Sequence, residues 1–117
     1  MNLKLLSFIL FLVFICTYGQ TPSEVFENAN AAYNNAKYEK AVSLYKEILD
    51  QGEHSAALYY NLANCYYRLN NVGESVFYYE KAKLLNPNDQ DIKVNAAFAQ
   101  NMAIDAVELL PQSQLTR

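Results

Sequence analysis

Residues 29–48, ANAAYNNAKYEKAVSLYKEI, lie over residues 63–82, ANCYYRLNNVGESVFYYEKA, without a gap at an offset of 34 residues. This period constrains the fold more than any other feature of the 117-residue chain. A unit of that size holds one supersecondary element and too little apolar surface to bury alone. Copies must therefore stack, each leaving one apolar face for its neighbour.

The signals inside each unit are helical. Thr21-Pro22-Ser23-Glu24 offers a capping threonine, proline at the first helical position and glutamate three residues after the cap. Val25, Ala29, Ala32 and Ala36 then recur at helical spacing. A second helix is expected from about Lys37, with Ala41, Leu44, Tyr45, Ile48 and Leu49 as its apolar stripe and Gln51-Gly52 as its end. Ser55 can cap a third helix carrying Tyr59, Leu62, Ala63, Tyr66 and Leu69. Asn71, with Glu74 three residues on, can cap a fourth through Val76, Tyr79, Ala82 and Leu85, which Pro87 stops. Asn88 with Asp91 opens a fifth, bearing Ile92, Ala96, Ala99 and Ala103. No stretch alternates at period two for long enough to read as a strand.

A helix-turn-helix of 34 residues with Tyr59, Leu62, Ala63 and Tyr66 in its first helix and Tyr79, Ala82 and Pro87 around its second resembles the tetratricopeptide repeat. Ala29, Ala41, Tyr45 and Ile48 stand at the equivalent places of the earlier copy. Departures are small residues for small residues: Ser75 where alanine is usual, Ala29 and Ala63 where glycine is common. The resemblance implies an all-α fold, a right-handed α-solenoid fragment of two helical hairpins plus a C-terminal capping helix. Repeat one spans residues 22–55, repeat two 56–89 and the capping helix 88–109. The whole domain is 20–110, followed by a tail at 111–117. Two repeats with a cap sit at the lower limit for independent stability, so marginal stability or dependence on a partner or on self-association is expected.

In that family the first helices line the concave face. Carried over by position, repeat one contributes Phe26, Glu27, Asn30, Tyr33 and Asn34 to a groove. Repeat two contributes Tyr60, Asn61, Asn64, Tyr67 and Arg68, and the cap adds Val94, Asn95 and Phe98. Aromatic rings interleaved with carboxamides suit an extended peptide, since asparagine offers both a donor and an acceptor and tyrosine provides rigid apolar area with a hydroxyl. A subtype of the family clamps the terminal carboxylate of chaperone tails with asparagines and basic residues. Asn30 and Asn61 match its asparagines, but Phe26, Asp91 and Asn95 replace its cations, so that ligand is rejected. Arg68 is the only basic residue of this set.

A narrower resemblance rests on residues 57–100 with the run "NDQDIK" and the tail "IDAVELLP". These are similar to the exported tetratricopeptide proteins of bacterial aerotolerance (Bat) operons, the BatE family. That resemblance implies protein partners with von Willebrand-type domains, an indirect membrane association through them, and a role in oxygen or envelope-stress tolerance.

The amino terminus reads as an export signal over residues 1–19. Asn2 and Lys4 precede an apolar run over residues 5–15, and Thr17 and Gly19 supply small residues before a cut at Gln20. The run is shorter than the roughly 20 residues a membrane-spanning helix needs. A lipid anchor on Cys16 is the rival reading, opposed by the bulky Ile15; an uncleaved anchor is a third. Export to the periplasm or cell envelope leaves Cys65 alone in an oxidising compartment, so no intramolecular disulfide can form. Losing Lys4 with the leader changes the formal charge from −3 to −4. This mild acidity argues against nucleic acid and against anionic membrane surfaces as partners.

Catalytic signals are weak. His54 is expected in a solvent-exposed turn and Cys65 on a packed helix, which together make neither a triad nor a metal site. Carboxylates fall on helix exteriors or near helix N-termini, and no glycine-rich phosphate loop occurs. The expectation is a non-catalytic interaction module without cofactor or metal. Two other readings stay open: a self-assembling scaffold whose repeat ends stack between copies, and a redox protein using Cys65 and His54.

Overall fold

A computed structural model describes residues 2–4 and 19–109. The leader's apolar run, the anchor candidate Cys16 and the tail at 111–117 lie outside the described residues. Five helices follow in order: α1 (Pro22–Asn34), α2 (Tyr38–Asp50), α3 (Ala56–Arg68), α4 (Val72–Leu85) and α5 (Gln90–Glu108). There is no strand among the described residues, and no described helix is long and apolar enough to cross a membrane. The all-α reading holds: α1 pairs with α2, α3 with α4, and α5 closes against α4.

Side chains cap three of the starts. Thr21 Oγ1 accepts from the Glu24 N–H at 3.3 Å, and Glu24 Oε2 accepts from the Thr21 N–H at 2.9 Å, a reciprocal capping box. Ser55 Oγ accepts from the Leu58 N–H at 3.0 Å. The fifth helix is capped by Asp89 and not by Asn88: Asp89 Oδ1 accepts from the Ile92 N–H at 3.1 Å. Asp91 lies inside the first turn, where it favours the helix dipole.

The turns between paired helices repeat to the bond, and here two expectations fail. Ala36 does not extend the apolar stripe of α1. It sits just past the helix in the left-handed region at φ 59°, and Asn70 occupies the same place in repeat two at φ 58°. The Ala36 N–H donates to Tyr33 O and the Lys37 N–H to Ala32 O, each at 2.9 Å. The Asn70 and Asn71 N–H groups make the matching bonds to Tyr67 O and Tyr66 O at 3.1 and 2.9 Å. These are the paired bonds of a Schellman motif. Because the link is so short, Asn71 closes α3 and opens α4 at once. Its backbone, at φ −94° and ψ 81°, is held away from capping geometry, and its side chain makes no cap bond. Lys37 is in the same position before α2.

Packing follows the stacked-unit logic. Val25, Ala29 and Ala32 of α1, Ala41, Tyr45 and Ile48 of α2, and Leu58, Leu62 and Cys65 of α3 share one core. Ala63 and Tyr79 continue it toward Ala96 and Ala99 of α5, and Tyr59 and Ala82 toward Ile92. Small residues allow close crossings: Ser75 is fully buried and its Oγ donates to Ala63 O at 3.1 Å. The stack stops where the pattern turns polar. Leu58, Leu62 and Cys65 of α3 receive the preceding hairpin, and Ile92, Ala96 and Ala99 do so in α5, but the matching places on α1 are exposed Glu24, Asn28 and Ala31. On the far side, Lys93, Ala97 and Gln100 of α5 stand where Tyr59, Ala63 and Tyr66 of α3 receive α4. Gln100 Nε2 donates to Glu80 Oε1 at 2.9 Å, the oxygen that also pairs with Lys83.

Alanine in the left-handed region costs about 1–2 kcal/mol relative to glycine, offset in part by glycine's freer unfolded chain. Ala36→Gly is therefore expected to stabilise the protein by about 0.5–1 kcal/mol. Urea unfolding followed by circular dichroism checks this. A midpoint that falls would mean that the Ala36 methyl contributes packing that outweighs its backbone strain.

Candidate protein-binding groove

The groove grows out of one arrangement made twice. In repeat one the Phe26 ring meets the Tyr45 ring edge-on at 5.8 Å, and the Tyr45 hydroxyl donates to Asn30 Oδ1 at 2.5 Å. In repeat two the Tyr60 ring meets Tyr79 at 6.0 Å, and the Tyr79 hydroxyl donates to Asn64 Oδ1. Both tyrosine rings are core residues, 1% and 2% exposed. Burial pushes both phenols above their ordinary value, so they remain neutral donors. Each outer helix thus sends a hydroxyl through the hairpin to orient a carboxamide on the inner helix.

Further bonds join neighbouring inner helices. Asn61 Nδ2 donates to Asn30 Oδ1 at 3.2 Å, linking α3 to α1. Asn95 Nδ2 donates to the Tyr60 hydroxyl at 2.7 Å, linking α5 to α3.

Two adjoining concavities result. One, of about 280 Å³, lies among Tyr33, Tyr60, Asn64 and Tyr67, with Arg68, Asn95 and Phe98 completing it and Tyr79 at its floor. The other, of about 300 Å³, lies among Asn30, Tyr33, Asn34, Asn61 and Asn64, with Tyr45 beneath. Tyr33 and Asn64 belong to both, so the two run together. No carboxylate lines either one. Arg68 is exposed, and the neighbouring Tyr33 hydroxyl holds its guanidinium above the ordinary value, a permanent cation at the rim.

The placement by position differs at Phe26. This ring lines neither concavity. It leans on Tyr45 and faces a separate hollow with Pro22, Ile48, His54 and Leu58. Without a hydroxyl to bond a neighbouring inner helix, as Tyr60 does with Asn95, it follows the apolar surface. Glu27 and Val94 are exposed outside the concavities. The hydroxyls of Tyr45 and Tyr79 are the groove components that helical phase alone misses. Their signal in the sequence was the exact 34-residue spacing of both the tyrosines and their asparagine partners.

Cys65 lies in the core with no exposed surface, and burial pushes its thiol up to about 12. His54, though exposed, is tied by Nδ1 to the Tyr59 hydroxyl at 2.6 Å. Among the described residues no three His, Cys, Asp or Glu side chains gather as a metal site.

A family model for the tetratricopeptide repeat matches residues 32–100, more than half of the chain. The chain belongs to the tetratricopeptide repeat family. No curated protein matches it. Tetratricopeptide repeats mediate protein–protein interaction and are characteristically non-catalytic. The inner helices of this one carry the groove described above.

Removing a hydrogen bond of this kind costs about 0.5–1.5 kcal/mol. Tyr79→Phe is expected to destabilise the fold by about that much. Tyr45→Phe should cost less, since Asn30 Oδ1 keeps its bond from Asn61. Equal losses in urea unfolding would show that the Asn30 carboxamide is not shared.

The raised groups also set a pH dependence. Cys65, Tyr45 and Tyr79 all hold their protons more tightly folded than unfolded. Their contribution is therefore complete below the unfolded thiol value of 9.0 and is lost as pH rises through the folded values. Unfolding midpoints should fall from about pH 9 upward, and native Cys65 should react with a thiol reagent only at the rate of local unfolding. Rapid labelling without denaturant would remove the core assignment of this thiol.

Proposed function

We infer that the protein is a non-catalytic interaction module that holds a peptide segment of a partner protein in its Tyr/Asn groove. The observation that carries this reading is the pair of adjoining concavities in which Tyr33, Tyr60, Tyr67 and Phe98 stand beside oriented carboxamides. Exposed aromatic area gathered in one concave patch marks an interaction surface, whereas scattered exposed aromatics need no explanation. The groove is also largely pre-formed, because Asn30, Asn64 and Asn95 are already bonded, and pre-formed contacts reduce the ordering cost of binding.

The finer setting is a proposal drawn from residues 1–19 and the Bat resemblance. The protein acts after export, in the periplasm or cell envelope. Its partners there are proteins with von Willebrand-type domains, through which it associates indirectly with the membrane. Against the self-assembling scaffold stand the two ends of the stack. Glu24 and Asn28 at one end, and Lys93 and Gln100 at the other, offer little apolar surface for a further copy.

Selection from a displayed random-peptide library tests the groove. The control is a triple variant, Tyr67→Ala, Arg68→Gln and Phe98→Ala, which alters the rim and leaves the Tyr79–Asn64 bond intact. Enrichment on the native protein that disappears on the variant is expected. Peptides retained equally by both would place binding elsewhere.

A further inference from the structure

The bonds already made inside the groove decide what it still offers. Asn30 Oδ1 accepts from both Tyr45 and Asn61, which leaves the Asn30 amino group facing outward. Asn64 Oδ1 accepts from Tyr79, which leaves its amino group likewise. Tyr60 accepts from Asn95 and keeps its own proton to donate. Tyr33 and Tyr67 add two hydroxyls, and Arg68 adds a guanidinium. Against these donors stand only two side-chain amide oxygens still open, those of Asn61 and Asn95, and no carboxylate. The groove is therefore rich in donors and aromatic faces and poor in acceptors.

An ordinary extended peptide brings N–H and C=O groups in equal number, and half of them would meet the wrong sign here. A proline-rich segment brings carbonyls with few N–H groups, in a preformed polyproline II helix that docks on aromatic surfaces. Spacing points the same way. Tyr33 and Tyr67 stand one repeat apart on α1 and α3, whose side chains share one core and one direct hydrogen bond. Helices in such contact lie about 8–10 Å apart. One turn of polyproline II advances about 9 Å, so one face of that helix meets successive tyrosines. A strand presents the same face about every 6.7 Å and falls out of step.

We propose that the groove takes a proline-rich segment in the polyproline II conformation, with an acidic residue of that segment beside Arg68. The proposal rests on the groove reading above and names its ligand class. The two open oxygens of Asn61 and Asn95 accept the N–H groups of the few non-proline residues, the acidic one included.

Titration of the ¹⁵N-labelled protein with three ten-residue peptides tests it. The first is all proline, the second is proline with one central glutamate, and the third is a proline-free alanine/glutamine/serine peptide with the same glutamate. Saturable shifts of the Asn30 and Asn64 side-chain amides and of Tyr33 and Tyr67 are expected with both proline peptides. The glutamate should tighten binding about tenfold through its charge-assisted bond, and Arg68→Gln should abolish that gain. Equal affinity for the proline-free peptide would overturn the ligand class and leave the groove as a general peptide site. Absence of groove shifts with either proline peptide would overturn it as well, and the library selection then decides separately whether the groove binds any peptide.

Discussion

A buried tyrosine hydroxyl bonded to an asparagine on the opposite helix joins the packing of this protein to its inner surface. Tyr79 fills the centre of its hairpin, and its hydroxyl ends at Asn64; Tyr45 and Asn30 repeat this. A phenylalanine could fill the same space, worth about 1.5–3 kcal/mol of burial, but could not orient the carboxamide. The tyrosine serves both ends of its side chain, apolar body in the core and polar tip at the groove. The direction of each free amide on the inner surface is therefore fixed by the core beneath it. The chemistry of the groove is inherited from the packing of the repeat.

That coupling also marks where reading by sequence succeeds and where it stops. The 34-residue offset, the helical spacing and the caps Thr21 and Ser55 made the hairpins and most groove positions legible before any coordinates. Helical phase assigns each side chain to one face, however, and Tyr45 and Tyr79 are long enough to belong to two. Phe26 shows the converse: position placed it in the groove, and the lack of a hydroxyl let it settle on Tyr45. The misreadings at Ala36, Asn71 and Asn88 share a different cause. Each lies in a link so short that one residue closes a helix while it or its neighbour opens the next. The backbone bonds that tie such a residue outrank the side-chain preferences that sequence patterns record.

The two repeats are equal in backbone and unequal in filling. Where repeat one has Val25, Ala32 and Leu44, repeat two has Tyr59, Tyr66 and Tyr78. Tyr78 lies between the other two rings, stacked on Tyr66 at 5.7 Å and on Tyr59 at 6.1 Å. Lys46 stands over Tyr66 at 5.8 Å and Lys81 over Tyr59 at 5.2 Å, so a cation closes each end of the stack. Each aromatic pair adds about 0.5–1.5 kcal/mol beyond its buried area, and repeat one has no counterpart to this stack of three.

The inequality follows from position along the stack. Repeat one presents a polar front and touches a neighbour on one side only, through α3. Repeat two is gripped on both sides, by α2 and by α5, and must hold the inner helix that contributes most of the groove. In a stack bound only through nearest neighbours, rigidity is greatest in the unit with two interfaces. The large stacked rings occur in that unit, on the face of α3 turned away from the groove. Tyr60, Asn64, Tyr67 and Arg68 are thus carried on the most firmly held helix of the protein. Asn30 and Tyr33 belong to the unit held on one side, so adjustment of the groove to a ligand falls on α1.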